Sequence, residues 1–133
     1  MADHIQLRVV TPRRQVIDTS VLEVTAPGTQ GEFGVLPDHA RFLSSLESGQ
    51  LSYREGTTTF QLAIRAGFAE VSDNVMTVLV AAAEPAESID VAQAKANLAD
   101  VEARLDQLSA NDPEYPASND EHRWAQARIE IAR

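Results

Sequence analysis

The 133-residue chain has room for one domain of ordinary size with an appendage, but not for two full cores. Its 44% hydrophobic and 23% charged residues exclude a disordered or fibrous protein. A net charge of −9, divided −4 up to Glu84 and −5 after it, argues against nucleic acid or an anionic membrane surface as a partner, and the lack of cysteine excludes disulfides, thiolate chemistry and cysteine-based metal sites.

The N-terminal Met1-Ala2-Asp3-His4-Ile5 has no basic segment running into an apolar one, so no secretion signal is expected. Ile5, Leu7 and Val9 alternate with Gln6 and Arg8, the period of a half-buried strand, until Pro12 interrupts. Leu22, Val24 and Ala26 alternate with Glu23 and Thr25 and stop at Pro27-Gly28. Gly28, Gly31 and Gly34 do not match G-x-G-x-x-G and precede no helix able to cradle phosphate. They read as loop glycines, supplying positive φ cheaply. Residues 41–46 make a third strand.

Leu51 and Tyr53 face Phe60, Leu62 and Ile64 across Glu55-Gly56, which predicts a hairpin. A second hairpin follows, with 68–71 and 75–83 flanking Ser72-Asp73-Asn74. Its later arm is apolar at nearly every position, which predicts a strand covered on both faces. The longest apolar run, 78–83, is far short of the about 20 residues needed to span a bilayer, so any membrane association is expected to be indirect. Strands this short and closely spaced predict a sandwich or flattened barrel over residues 1–84.

After Pro85 the period becomes helical. Val91, Ala94, Leu98, Val101, Leu105 and Leu108 form a heptad-like stripe that reads as core, and Asp90 with Gln93 makes a capping box. Ala92, Ala96, Ala99 and Ala103 form a second, smooth face open to another helix. Residues 109–119, with Pro113 and Pro116, read as a loop, and 120–133 as a second helix with Trp124, Ala127 and Ile131 on one face. A helix that short needs a partner surface, so residues 85–133 are expected to form an antiparallel hairpin.

Nothing in the chain carries recognisable catalytic chemistry. His4, His39 and His122 lack ligand spacing, and there is no G-x-S-x-G, S-x-x-K or G-x-x-x-x-G-K. Asp38-His39 reads as a surface hydrogen-bonding pair rather than an acid/base pair, because adjacent side chains point apart. Arg123, Arg128 and Arg133 read as a solvated helix face. These residues point to a non-catalytic protein that docks on others, and leave open both an adaptor with a coiled-coil tail and a nucleotide sensor.

The stretch GEFGVLPDHARFLSSLESGQL at 31–51 resembles the signature loop and strand of the epsilon subunits of bacterial F-type ATP synthases. The resemblance continues through Ala66-Gly67-Phe68-Ala69-Glu70-Val71, Val75-Met76-Thr77-Val78-Leu79 and the helical segment opening at Ile89-Asp90, and so covers essentially the whole chain. It implies a mainly β plus α fold: a roughly ten-stranded β-sandwich followed by an antiparallel two-helix hairpin.

It also implies a non-catalytic role in the central stalk, coupling proton flow through the c-ring to ATP synthesis. The sandwich would pack on the gamma subunit and the c-ring loops, peripheral to the cytoplasmic side of the bacterial plasma membrane. The hairpin would lie folded down or reach into the alpha/beta catalytic ring to block ATP hydrolysis. Residue by residue, Glu32 matches the loop glutamate facing the c-ring and His39 the histidine near the gamma contact, while Arg123 and Arg128 match basic residues that meet the beta subunit.

Two departures carry consequences. Asp38-His39-Ala40-Arg41 stands where many relatives have G-H-A-P, which alters the turn and its charge. ATP-sensing relatives carry [IL]-D-x-x-R-A, with Ile89, Asp90 and Ala94 matching here and Arg123 and Arg128 completing the candidate ATP site. Gln93 replaces the motif's arginine and removes a fixed positive charge, so no cofactor is expected to be required and weakened ATP affinity is the expectation.

Overall fold

The computed structural model describes residues 2–133; Met1, the first residue of the segment read for a leader, lies outside them. Ten strands come first: β1 (Ile5–Val10), β2 (Gln15–Val21), β3 (Glu23–Gly28), β4 (Gly31–Val35), β5 (Phe42–Leu46), β6 (Gly49–Glu55), β7 (Thr58–Ile64), β8 (Gly67–Ser72), β9 (Val75–Val80) and β10 (Ala83–Pro85). A 3-10 turn, Ala86–Ser88, leads into α1 (Val91–Gln107) and α2 (Tyr115–Ile131).

The strands run β10-β7-β6-β3-β5-β8-β9-β1-β2, with β4 also on β3. Between β3 and β5 the only pair is Gly28 with Leu46, so the sheet folds over there and becomes two facing layers. Alternation then does its work, because every second side chain points between the layers. Leu7, Val24, Leu51, Leu62, Met76 and Val78 are buried in one shared core. The expected β-sandwich with two C-terminal helices is what forms.

Both hairpins form in the expected register, with Leu51 opposite Leu62, Tyr53 opposite Phe60 and Ser72 opposite Val75. Asp73 and Asn74 adopt φ of 51° and 60°, the conformation that a two-residue turn between right-twisted strands requires.

Several expectations need correction. Residues 75–83 are not one strand covered on both faces: β9 stops at Val80, and only Met76, Val78 and Val80 face the core, while Leu79 is 53% exposed. β2 and β10 carried no clear period-two signal because both are edges of the sheet, with few inward side chains to enforce one. Of the three supposed loop glycines only Gly31 has positive φ, at 124°. Gly28 and Gly34 lie in paired strands; at Gly28 a Cβ would come within 2.7 Å of the Gly31 carbonyl, so the requirement there is close approach.

The helices differ in detail too. α2 starts at Tyr115 rather than Asp120, because a proline in the first turn costs nothing where the N–H has no intrahelical acceptor. Only Ala94 and Val101 of the heptad-like stripe are fully buried, and Val91 is exposed. The alanine face of Ala92, Ala96, Ala99 and Ala103 looks outward, since α2 packs on the opposite side of α1. Half of the capping box is present: Asp90 accepts from the Gln93 backbone N–H at 3.0 Å, but the Gln93 side chain is engaged elsewhere.

Candidate docking surfaces

Three surfaces gather the residues that carry functional potential. The first is the outer face of the layer β5-β8-β9-β1. Two apolar residues side by side in a strand must point to opposite faces, and this chain has Phe42-Leu43, Phe68-Ala69 and Val78-Leu79. One of each pair enters the core and its neighbour is left outside. Leu43, Phe68 and Leu79 are accordingly 70%, 58% and 53% exposed. Phe68 lies opposite Leu79 in the β8–β9 ladder, and Val10 opposite Leu79 in the β1–β9 ladder, so the outward apolar side chains form a continuous row. That doubled apolar pattern was the available sequence signal for this face.

The second surface is where α2 meets the sandwich. Its apolar part is a small core of Ala63, Ala86, Ile89, Trp124, Ala127 and Ile131. Around it runs a polar network. Ser48 donates its backbone N–H and its hydroxyl to the two carboxylate oxygens of Asp120, at 3.2 and 2.8 Å, and Arg65 donates to the same carboxylate at 3.2 Å.

Arg128 is 2% exposed, donates to Glu84 at 2.7 Å and to Gln93 at 2.9 Å, and lies 5.3 Å from the Trp124 ring centre. Arg65 lies 5.9 Å from the same ring, so Trp124 is met by two guanidinium groups, one from the sandwich and one from its own helix. Arg128 is thus not part of a solvated helix face. A cation four residues from Trp124 shares its helix face and follows it into the joint.

The third surface is a cleft of about 320 Å³ lined by Glu32, Glu47, Gln50, Arg123 and Glu130, among others. Glu32 is exposed on β4 opposite Pro27, and Arg123 reaches Glu47 at 3.3 Å. Glu32 and Arg123 are therefore brought together across the joint between sandwich and hairpin. His39 is not: it follows the far end of β4, half-buried, with Nδ1–H donating to the Ala40 carbonyl at 2.8 Å and its ring edge-on to Phe42. Asp38 accepts from the Ala2 N–H at 2.7 Å, with φ of 61°, a conformation glycine would take without strain. Asp38 and His39 each bond elsewhere and not to one another.

Of the candidate ATP site, Arg123 stays exposed beside Glu47, and the other four residues are committed to the fold. Ile89 and Ala94 are buried, Asp90 caps α1, and the Arg128 guanidinium is met by Glu84 and Gln93. An arginine at 93 would confront Arg128 and call for an anion between them; the glutamine oxygen satisfies Arg128 without one.

A family model for the β-sandwich domain of the ATP synthase delta/epsilon chain matches residues 4–86. This chain belongs to that family. The similarity extends through the helices. An ATP synthase epsilon chain of Syntrophotalea carbinolica is 42% identical over 132 residues, covering 99% of this chain and 96% of its own length. One of Geobacter metallireducens has the same identity and coverage. The family membership sets aside the unrelated adaptor.

Among solved structures, a chain in the Euglena gracilis mitochondrial ATP synthase OSCP/F1/c-ring assembly superposes with a TM-score of 0.79 at 24% identity, covering 98% of this chain and 81% of its own. A chain from the Tetrahymena thermophila mitochondrial central stalk and c-ring gives 0.60 at 16%, covering 93% and 95%. At these identities the superpositions speak to the fold. No helix among the described residues is long and apolar enough to cross a membrane.

Proposed function

We propose that this chain is a non-catalytic central-stalk subunit of a proton-translocating ATP synthase, coupling rotation of the c-ring to the catalytic ring from the cytoplasmic side of a bacterial plasma membrane. The observation that carries the reading is the apolar row of Phe68 and Leu79, with Leu43 beside it, left uncovered in a member of the epsilon family. Covering one such side chain contributes up to about 1.5–3 kcal/mol, so the three form the apolar centre of a contact whose remaining area offsets the freedom lost on association. The gamma subunit is the partner assigned to this face. The c-ring loops are assigned to Glu32, whose exposed carboxylate accepts charge-assisted hydrogen bonds from basic loops, and His39 stands beside the gamma contact.

The hairpin is assigned the braking role, Arg123 and Arg128 meeting acidic groups of the beta subunit once the joint opens. Engagement of Arg128 by Glu84 and Gln93 supports a hairpin that docks without nucleotide. The test is assembly of the full chain with an alpha/beta/gamma complex that lacks it. Phe68→Asp is expected to abolish co-elution while thermal unfolding of the isolated chain stays unchanged; retained co-elution overturns the gamma assignment. Deleting residues 110–133 is expected to raise ATP hydrolysis by the assembled complex, and unchanged hydrolysis removes the brake.

A further inference from the structure

The charges around the apolar face are unevenly placed. Among the described residues Arg13, Arg14, Arg41, Lys95 and Arg133 are the basic side chains without a carboxylate partner, in a chain whose net charge is −9. Three of the five border one surface. Arg41 immediately precedes the strand that carries Leu43 and shares a hollow with it and Glu70. Arg13 and Arg14 occupy the turn between β1 and β2, next to a groove of about 410 Å³ formed by Val10, Pro12, Phe68 and Leu79 with their neighbours.

The turn holding the two arginines is stiff. The Thr11 N–H donates to the Arg14 carbonyl at 2.9 Å and the Thr11 hydroxyl donates to it at 3.2 Å, while the Arg13 and Arg14 N–H groups approach that hydroxyl oxygen at 3.3 Å. Pro12 fixes one further backbone angle. Arg13 and Arg14 themselves line an adjoining hollow with Ala81 and Glu84, and the Glu84 carboxylate is held by Arg128. Two exposed guanidinium groups on a turn whose backbone is already fixed, at the end of an apolar row, are placed to meet anions with only their own side chains left to order.

We infer that the Arg13–Arg14 turn receives a pair of carboxylates on the same protein segment that covers Phe68 and Leu79, so the docking partner presents apolar residues flanked by Asp or Glu. The inference rests on the docking role given to this face under the proposed function and adds the chemistry that selects the occupant. A protein segment is favoured over an anionic lipid surface because the rest of the chain is strongly acidic and a bilayer would meet those charges as well. At the other end of the row Arg41 and Glu70 share the hollow beside Leu43 and offset one another, so the excess positive charge lies at the Arg13–Arg14 end.

The test measures binding of the full chain to the alpha/beta/gamma complex at about 0.05 M and about 0.5 M salt, between which exposed charges pass from weakly to strongly screened. Arg13→Gln/Arg14→Gln is expected to weaken binding about tenfold at the lower salt, with the difference closing at the higher, while Phe68→Asp abolishes binding at both. Loss with Phe68→Asp but none with the double glutamine variant overturns this inference and leaves the docking face standing. No loss with either overturns both. Arginine-dependent binding of the isolated chain to phosphatidylserine vesicles, or an arginine-dependent dimer in sedimentation, assigns the turn to a lipid surface or a second copy and likewise overturns it.

Discussion

Arg128 of α2 donates its Nε–H to the carboxylate of Glu84 in β10 at 2.7 Å, with the guanidinium side chain 3% and the carboxylate side chain 33% exposed. This pair ties the last helix to the last strand. Removing one partner strands a charge in a place water barely reaches, which costs more than an exposed pair contributes and approaches the cost at a fully buried one. Glu84→Ala is expected to weaken docking of the hairpin by about 2 kcal/mol, roughly a thirtyfold rise in opening. Amide hydrogen exchange should quicken by that factor in α2 while β8 and β9 keep their protection; equal acceleration in the sheet would show that the pair holds the whole fold rather than the joint.

Gly67 tests how closely β8 and β9 approach. A Cβ built there lies 2.0 Å from the Leu79 carbonyl oxygen, so the backbone itself would have to move. Gly56 has φ of 57° with open space around it, and a side chain there meets only left-handed strain. Gly67→Ala is expected to cost about 3 kcal/mol, lowering the melting temperature by about 10 °C. Gly56→Ala is expected to cost about 1 kcal/mol. Calorimetry giving equal losses would refute the close-approach account.

The turn before β9 separates two roles that neighbouring residues share. Asn74 donates to the His4 carbonyl at 2.8 Å and accepts from the Asp38 N–H at 2.8 Å, tying two distant segments together. Asn74→Ala should cost about 2 kcal/mol, from the two hydrogen bonds and the left-handed backbone combined. Asp73→Gly should raise stability by up to about 1 kcal/mol, because it removes only strain. Urea unfolding checks both, and opposite signs are the diagnostic result.

Asp18 on the β2 edge provides a pH-dependent contribution of known sign. The hydrogen bond from Gln6, at 2.6 Å, is the main cause holding its carboxyl below the usual range; partial desolvation opposes it, and Arg8 and Gln15 assist. The folded chain therefore releases this proton more readily than the unfolded one. The resulting stabilisation is present above the ordinary carboxylate pKa and is lost as pH falls through the lowered folded value. Carbon-detected titration of Gln6→Ala should show Asp18 titrating at higher pH than in the wild type. No change would transfer the effect to Arg8.

Alternating residues such as Ile5, Leu7 and Val9, the Asp73-Asn74 turn and the helical period after Pro85 were legible because each reports on its own stretch of backbone. So was family membership, which rests on residues in order along the chain. Tertiary structure decided the rest. Period two says that Val78 and Leu79 face opposite ways, but not that one side lacks a covering layer. β4 reads as a loop because its glycines carry no pattern, and it becomes a strand because β3 supplies its hydrogen-bond partners. Arg128 reads as solvated, and is buried because Glu84 and Gln93, 44 and 35 positions earlier in the chain, arrive beside it. Local pattern encodes which way a side chain points, whereas burial and charge pairing depend on what lies opposite, and that is set only when distant segments meet.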